Sequence, residues 1–180
     1  MASLELALPA AGSALELAGT NLTLVVAVAV IAVIALVMGF VFRQQVLAAD
    51  TGTDNMRTIG SAVEEGAQAY LARQFKTLGI FVVLVFALLL LLPADTAGVR
   101  WGRSGFFVLG ALFSAAIGYL GMSLAVKANV RVAAAARTEN GRSEGMRIAF
   151  RTGGVVGMAT VGLGLLGASI VVLLYQGDAP

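Results

Sequence analysis

The stretch LVVAVAVIAVIALVMGFVF, residues 24–42, contains nineteen consecutive residues without a charged side chain. A helix rises about 1.5 Å per residue, so this run is long enough to cross roughly 30 Å of hydrocarbon. Thirteen of its residues are Leu, Ile, Val or Phe, whose side chains favour insertion into a bilayer. No cation precedes the run and Arg43 follows it. These flanks predict an uncleaved transmembrane helix and not a cleaved signal peptide.

The composition of the whole chain also indicates a membrane protein. Of its 180 residues, 59% are hydrophobic and 12% are charged, whereas soluble domains are about 45–50% apolar and about 25% charged. There is no cysteine and no histidine. Disulfide frameworks and thiolate or imidazole metal sites are therefore excluded, and the commonest general base is missing.

Three further uncharged runs follow the first, at about 77–92, 104–126 and 152–175. The second is slightly short, but Lys76 can extend its amino group to the lipid headgroups. The sequence thus predicts an all-α, multi-pass membrane protein with four transmembrane helices. We expect a membrane domain over residues 22–175, preceded by an extracytoplasmic arm (1–21) and followed by a short tail (176–180).

The distribution of cations predicts the orientation. The loops 43–76 and 127–151 hold ten of the twelve Lys and Arg residues, the turn 93–103 holds two, and the arm and tail hold none. By the positive-inside rule the two larger loops are cytoplasmic, so both termini face outward.

Two helices are expected to extend beyond the membrane into the cytoplasm. The first cytoplasmic loop becomes periodic after a cap at Thr53 or Asp54, and no breaker separates it from the second span. Its residues on one helical face are Met56, Ile59, Val63, Ala67, Tyr70 and Gln74. The third span likewise continues past Lys127 until the helix stop at Asn140-Gly141.

Two acidic features of the first loop invite a functional interpretation. Glu64 and Glu65 are adjacent, so on a helix they point about 100° apart and form a poor acid/base couple. The segment DTGTD, residues 50–54, could bind a cation through its two aspartates. It also has the composition of an ordinary turn leading to a helix cap, which is the favoured interpretation.

The second loop is basic, and two interpretations of it remain open. Its cations are Lys127, Arg131, Arg137, Arg142, Arg147 and Arg151. They can anchor helix ends to anionic headgroups, or they can form a surface that attracts a polyanionic substrate. The same side chains could do both.

Spans three and four contain rows of small residues at four-residue spacing, which let helices approach closely in lipid. We expect these spans to pack tightly on each other or on helices outside the chain. The rows are Gly110, Ser114 and Gly118; Gly153 and Gly157; and Thr160, Gly164 and Ala168.

The residues expected of a catalytic or transport site are missing. No Asp, Glu, Lys or Arg lies inside a span, although ion pathways usually need such groups. The spans have no polar stripe that could line a channel. The glycine-rich run 153–167 has no lysine and is not a phosphate-binding loop. We therefore predict no catalytic, cofactor-binding or metal-binding residue in this chain.

Three long stretches of the chain form an ordered set: MRTIGSAVEEGAQAYLARQFKTL (56–78), GYLGMSLAVKANVRVAAAAR (118–137) and MRIAFRTGGVVGMATVGLGLLG (146–167). Together they resemble the N-terminal part of membrane-integral, ion-pumping pyrophosphatases. The first contains an "EGA-x-AYL-x-RQ"-like element at residues 65–74, and the third contains an "AF(R/K)-x-G" element ending at Gly153. The resemblance covers about residues 25–175.

The resemblance implies a homodimeric pump with about sixteen transmembrane helices per subunit. Such a pump hydrolyses pyrophosphate with Mg²⁺ on the cytoplasmic side of the cell membrane and moves protons, or in some members Na⁺, outward. The family's catalytic and metal-binding motifs, of the "DVGADLVGK" and "DNVGDN" kind, lie on later helices and do not occur here. The expected partners are pyrophosphate, protons, membrane lipids and a second subunit, with no nucleic acid.

The chain ends where the fifth helix of this family would begin. We expect it to be the N-terminal part of a larger single domain, supplying peripheral helices and inactive alone. The alternative is a non-enzymatic four-helix membrane packing module.

Overall fold

The computed structural model describes residues 20–94 and 96–175, which form four α-helices. They are α1 (Thr20–Leu47), α2 (Asp54–Leu91), α3 (Ala97–Ala135) and α4 (Gly141–Tyr175). Each is long and apolar enough to cross a membrane. The predicted all-α architecture with four transmembrane helices is therefore confirmed. The predicted tail and all but the last two residues of the predicted arm lie outside the described residues, and the domain boundaries stay a prediction.

The helices are longer than the predicted spans, mainly at one end. α2 runs without interruption for 38 residues, or about 57 Å, so its first half continues the second span as expected. α3 continues for nine residues past Val126. α4 also extends, because it begins at Gly141, eleven residues before the predicted span. α2 and α3 extend beyond the predicted spans as expected, and α4 adds a third extension. That these extensions lie in the cytoplasm stays a prediction.

Consecutive helices run in opposite directions. The connections 48–53 and 136–140 therefore lie at one end of the bundle, which we call the charged end, and the α2–α3 connection lies at the other. α4 packs between α1 and α3, and α3 packs between α4 and α2. This order places α3 and α4 at the centre of the row of helices.

α1 and α4 pack through positions that repeat every seven residues. On α1 the buried positions are Ala32, Gly39 and Val46, and on α4 they include Ile148, Val155, Gly162 and Ser169. A seven-residue repeat keeps one seam of a helix facing its partner, as in a left-handed coiled coil. The uniformly apolar first span hides this seam, because its lipid-facing residues are as apolar as its packed ones.

Close approach of the helices uses Gly121 and Gly162, which lie outside the rows of small residues at four-residue spacing. A Cβ at Gly162 would lie 2.7 Å from Leu36 Cγ, and one at Gly121 would lie 3.1 Å from Val156 Cγ2. In contrast, nothing lies within 4 Å of the Cβ positions at Gly110, Gly118, Gly153, Gly157 and Gly164 in the described structure. The glycines of those rows therefore make no close contact within the described structure, and packing of the rows on helices outside the chain stays a prediction. α3 and α4 do pack together, but several members of the rows line an open groove between them: Gly110, Ser114, Thr160, Gly164 and Ala168.

The turn between α3 and α4 begins earlier than the predicted stop at Asn140-Gly141. α3 ends at Ala135, and Gly141 is already the first residue of α4. The Ala135 carbonyl accepts from the Thr138 backbone N–H at 2.9 Å and from the Thr138 hydroxyl at 2.8 Å. Gly141 is buried against this turn. The glycine thus marks the start of the next helix, and α3 ends in the turn that Thr138 holds.

Candidate functional site

Arg131 is the most extensively bonded cation at the charged end. It lies on α3, one turn before the helix ends, and is partly buried. Its Nη1 donates to the Lys127 carbonyl at 2.8 Å and its Nη2 to the Leu47 carbonyl, the last residue of α1, at 3.1 Å. A cation at a helix C-terminus stabilises the helix dipole as well as the free carbonyl. Arg131 therefore fixes the end of α1 to α3.

Lys127, one turn before Arg131, forms an ion pair with α2. Its Nζ lies 3.1 Å from Glu64 Oε1, and the two side chains are 41% and 31% exposed. Glu64 also accepts from the Gln68 side chain at 3.3 Å. Just beyond this pair the two helices are in close contact, since a Cβ at Gly60 would lie 2.5 Å from Val130 Cγ2. The ion pair and this contact hold the extended half of α2 against α3.

The adjacent glutamates have different surroundings, as predicted. Glu64 contacts α3, whereas Glu65 is exposed and makes no ion pair among the described residues. The apolar face predicted for α2 is only partly packed, because Ile59, Val63 and Tyr70 are more than half exposed. The contact with α3 instead runs along a neighbouring line that includes Gly60, Glu64 and the buried Leu71.

The segment DTGTD forms a turn and a helix cap. Asp50 accepts the backbone N–H of Gly52 at 3.1 Å, and Gly52 has a φ of 75°, which favours glycine. The Thr53 side chain accepts from the Met56 N–H as the N-cap of α2. Asp54 is the first helical residue and pairs with Arg57 at 3.0 Å. Of the two predicted caps, Thr53 is therefore the one observed, and both aspartates already have donors.

The remaining cations of the second loop lie around the turn and the start of α4. Arg137 approaches the Met56 sulfur at 3.8 Å across to α2. Arg147 pairs with Glu144 at 3.6 Å on the same helix. Arg151 is half-buried and makes no hydrogen bond or ion pair with any residue that the structure describes. Arg131, Arg147 and Arg151 line one cavity of about 280 Å³.

These side chains do not form a site for Mg²⁺. Within residues 20–94 and 96–175, no three carboxylates, histidines or cysteines are close enough together to share a metal ion. One carboxylate oxygen each of Asp50, Asp54 and Glu64 contacts Gly52, Arg57 and Lys127, respectively. A magnesium pyrophosphate complex needs several free oxygens around the metal. The described residues do not fit this cofactor, so no catalytic step is derived through it.

Comparison with known proteins finds one family along nearly the whole chain. The sequence profile of the family described as "Inorganic H+ pyrophosphatase" matches residues 33–179. A "K(+)-insensitive pyrophosphate-energized proton pump" of Streptomyces avermitilis is 57% identical over 185 residues, covering 96% of this chain and 23% of the relative. A protein of the same name from Streptomyces coelicolor is 59% identical over 172 residues, covering 89% of this chain and 22% of the relative.

A more distant relative is named as a sodium pump. The "Putative K(+)-stimulated pyrophosphate-energized sodium pump" of Bacteroides thetaiotaomicron is 38% identical over 154 residues, covering 85% of this chain and 21% of the relative. The chain thus spans about a fifth of the length of the curated relatives it matches. Together with four helices that can cross a membrane, these matches show that the chain is a membrane protein and belongs to the inorganic H⁺ pyrophosphatase family.

Proposed function

We propose that this chain supplies four transmembrane helices of a pump that couples pyrophosphate hydrolysis to proton transport. The observation that carries the proposal is the 57% and 59% identity to two proteins named as proton pumps, each extending over most of this chain. The sodium-pump relative is more distant, at 38% identity, which favours H⁺ over Na⁺.

Within that pump, the chain serves as a structural support for the catalytic part. Three of its cations at the charged end contact a neighbouring helix: Arg131 contacts Leu47, Lys127 contacts Glu64 and Arg137 contacts Met56. Its carboxylates are exposed or paired, and none is buried among the described residues. We propose that pyrophosphate and Mg²⁺ bind to parts of the pump outside this chain, and that the working unit is a homodimer.

A chimera tests the proposal. Residues 25–175 of this chain replace the corresponding segment of the Streptomyces avermitilis pump, and the chimera is expressed in vesicles. We expect pyrophosphate to drive proton uptake, measured by quenching of acridine orange fluorescence and reversed by a protonophore. The unmodified pump and a pump lacking the segment are the two controls. A chimera that inserts at normal abundance but neither hydrolyses pyrophosphate nor acidifies vesicles contradicts the proposal.

A second measurement concerns the chain alone. Because no three carboxylates cluster among the described residues, we expect the purified chain of 180 residues to release no phosphate from pyrophosphate. Magnesium-dependent phosphate release by this chain would show that it contains a hydrolytic site.

A further inference from the structure

The cavity at the charged end is lined on one side by three arginines from two helices. Arg131 belongs to α3, and Arg147 and Arg151 belong to α4. Gln45 near the end of α1 and Thr138 in the turn add polar side chains. The volume of about 280 Å³ is several times the roughly 30 Å³ that one water molecule occupies in the liquid. The cavity is thus large enough for a hydrated anion.

The register of the helices places this cavity at the edge of the hydrocarbon. Arg43 and Arg151 are the charges that border the uncharged runs of α1 and α4. They lie at similar depth, because a Cβ at Gly154 would be 3.2 Å from Phe42 Cδ2. Arg147 is one turn further from the hydrocarbon on the same helix. The cavity therefore opens at the depth of the lipid headgroups.

The arginines differ in how fully their hydrogen-bonding capacity is used. Two nitrogens of Arg131 donate to carbonyls, but its Nε is buried and has no acceptor in the described part of the chain. Arg147 has only the long contact of 3.6 Å with Glu144, and both side chains are about half exposed. Arg151 is half-buried and, among the described residues, has no acceptor. Guanidinium N–H groups thus remain free at the cavity.

Two carboxylates, Asp50 and Glu144, line the cavity beside the three arginines, so its lining keeps a net positive charge. Asp50 is exposed and accepts from the Gly52 N–H, and Glu144 faces Arg147. Arg151 is left as an uncompensated charge in a partly desolvated position. A guanidinium matches the oxygens of a phosphate group, often with two parallel hydrogen bonds.

We propose that this cavity binds a phosphate group, with Arg151 and Arg147 as its principal ligands. The phosphate can belong to the headgroup of an anionic lipid or to a free phosphate in solution. Both present the same oxygens to the arginines, and the depth of the cavity makes it accessible to either. Binding of a phosphate group can be measured directly, so the test needs no enzymatic activity.

Binding is measured on the purified chain of 180 residues in a neutral detergent. In one arm, phosphatidylglycerol is added and its retention on the protein is measured by native mass spectrometry. In the other arm, inorganic phosphate is titrated at constant ionic strength by calorimetry. The variants are Arg151→Gln, Arg151→Lys and the control Arg142→Gln. Arg142 is exposed, lies on the same helix and does not line the cavity. Circular dichroism is used to check that the variants and the unmodified chain have the same helix content.

We expect saturable binding that weakens about tenfold or more in Arg151→Gln, since charge-assisted hydrogen bonds are among the strong ones. Arg151→Lys retains part of the affinity, and Arg142→Gln retains nearly all of it. If the variants show this pattern with phosphatidylglycerol, the bound phosphate group belongs to a lipid headgroup. If they show it with inorganic phosphate, the ligand is free phosphate. Binding that does not saturate, or that weakens equally in Arg142→Gln, overturns the proposal in favour of diffuse attraction to a basic surface.

Discussion

The guanidinium of Arg131 on α3 donates a hydrogen bond of 3.1 Å to the backbone carbonyl of Leu47, the last residue of α1. A second arginine of α3 does the same at the opposite end of the bundle, where Arg103 donates to the Leu89 carbonyl at 2.7 Å. Both acceptors lie in the last turn of a neighbouring helix, where carbonyls lack partners within the helix. α3 therefore caps α1 at one end and α2 at the other.

Replacing Arg131 with Ala should destabilise the fold more than it affects substrate binding. The change removes two hydrogen bonds from a charged group and leaves the Leu47 carbonyl without its donor, which costs about 2 kcal/mol. The control Arg57→Ala removes only an exposed pair within one helix and should cost about 0.5 kcal/mol or less. Unfolding in mixed micelles, followed by circular dichroism, measures both. In the chimeric pump, a large rise in KM for pyrophosphate at normal abundance would argue for a substrate-binding role.

The helices could be predicted from the sequence because their signals are local. Charged residues such as Arg43 and Arg151 mark the ends of the apolar runs, and a long uncharged run can be little else than a membrane helix. The continuity of α2 follows from the lack of a breaker between Asp54 and Leu91. The end of α3 was less predictable, because the helix ends at Ala135, in a turn held by Thr138, before the Asn140-Gly141 pair that predicted the stop.

The contacts between helices could not be predicted in the same way. In lipid, the side of a helix that faces the membrane is as apolar as the side that packs, so periodicity does not reveal the contact face. Gly162 and Gly164 are two residues apart on one helix, yet only Gly162 is in close contact with α1. The Lys127–Glu64 pair joins residues 63 positions apart in sequence, and no local pattern connects them. Which residues line the basic cavity depends on these contacts, so its lining could not be predicted from the sequence either.

Replacing Gly162 with Ala should weaken the packing of α1 on α4. The new Cβ would lie 3.0 Å from the Ala32 carbonyl oxygen and closer still to the Leu36 side chain. Overpacking of this kind costs about 1–3 kcal/mol. The matched control is Gly164→Ala, whose Cβ meets no described atom within 4 Å, so it should be neutral or slightly stabilising. The midpoint of unfolding in mixed micelles compares the two, and equal midpoints would argue against the α1–α4 seam.

Replacing Gly141 with Ala should open the turn between α3 and α4. The three atoms nearest the new Cβ all belong to the backbone of Ala135 and Ala136, the closest at 2.6 Å. Backbone atoms cannot move aside as a flexible side chain can, so the turn itself has to shift. We expect faster cleavage by trypsin at Arg137 and Arg142, which flank the glycine and are exposed. Gly153→Ala, which has open space, should leave the cleavage rate unchanged.

The Lys127–Glu64 pair should contribute a small coupling that falls with added salt. The Lys127 and Glu64 side chains are 41% and 31% exposed, and exposed ion pairs are worth about 0.2–1 kcal/mol. A double-mutant cycle with Lys127→Met and Glu64→Gln measures the coupling free energy at low and high salt. The exchange Lys127→Glu with Glu64→Lys should recover most of the stability lost in either single reversal. A coupling near zero in low salt would show that the packing around Gly60 alone holds α2 to α3.

The orientation in the membrane can be tested directly because the chain has no cysteine. The positive-inside rule predicts that the charged end faces the cytoplasm. We therefore introduce Ser143→Cys at the charged end and Ala97→Cys at the other end, both at exposed positions. A membrane-impermeant maleimide added to intact cells should label Cys at position 97 and spare the one at 143, whereas inverted vesicles should give the reverse. Labelling of position 143 in intact cells would show that the orientation is the reverse of the predicted one, with the basic cavity facing the outside.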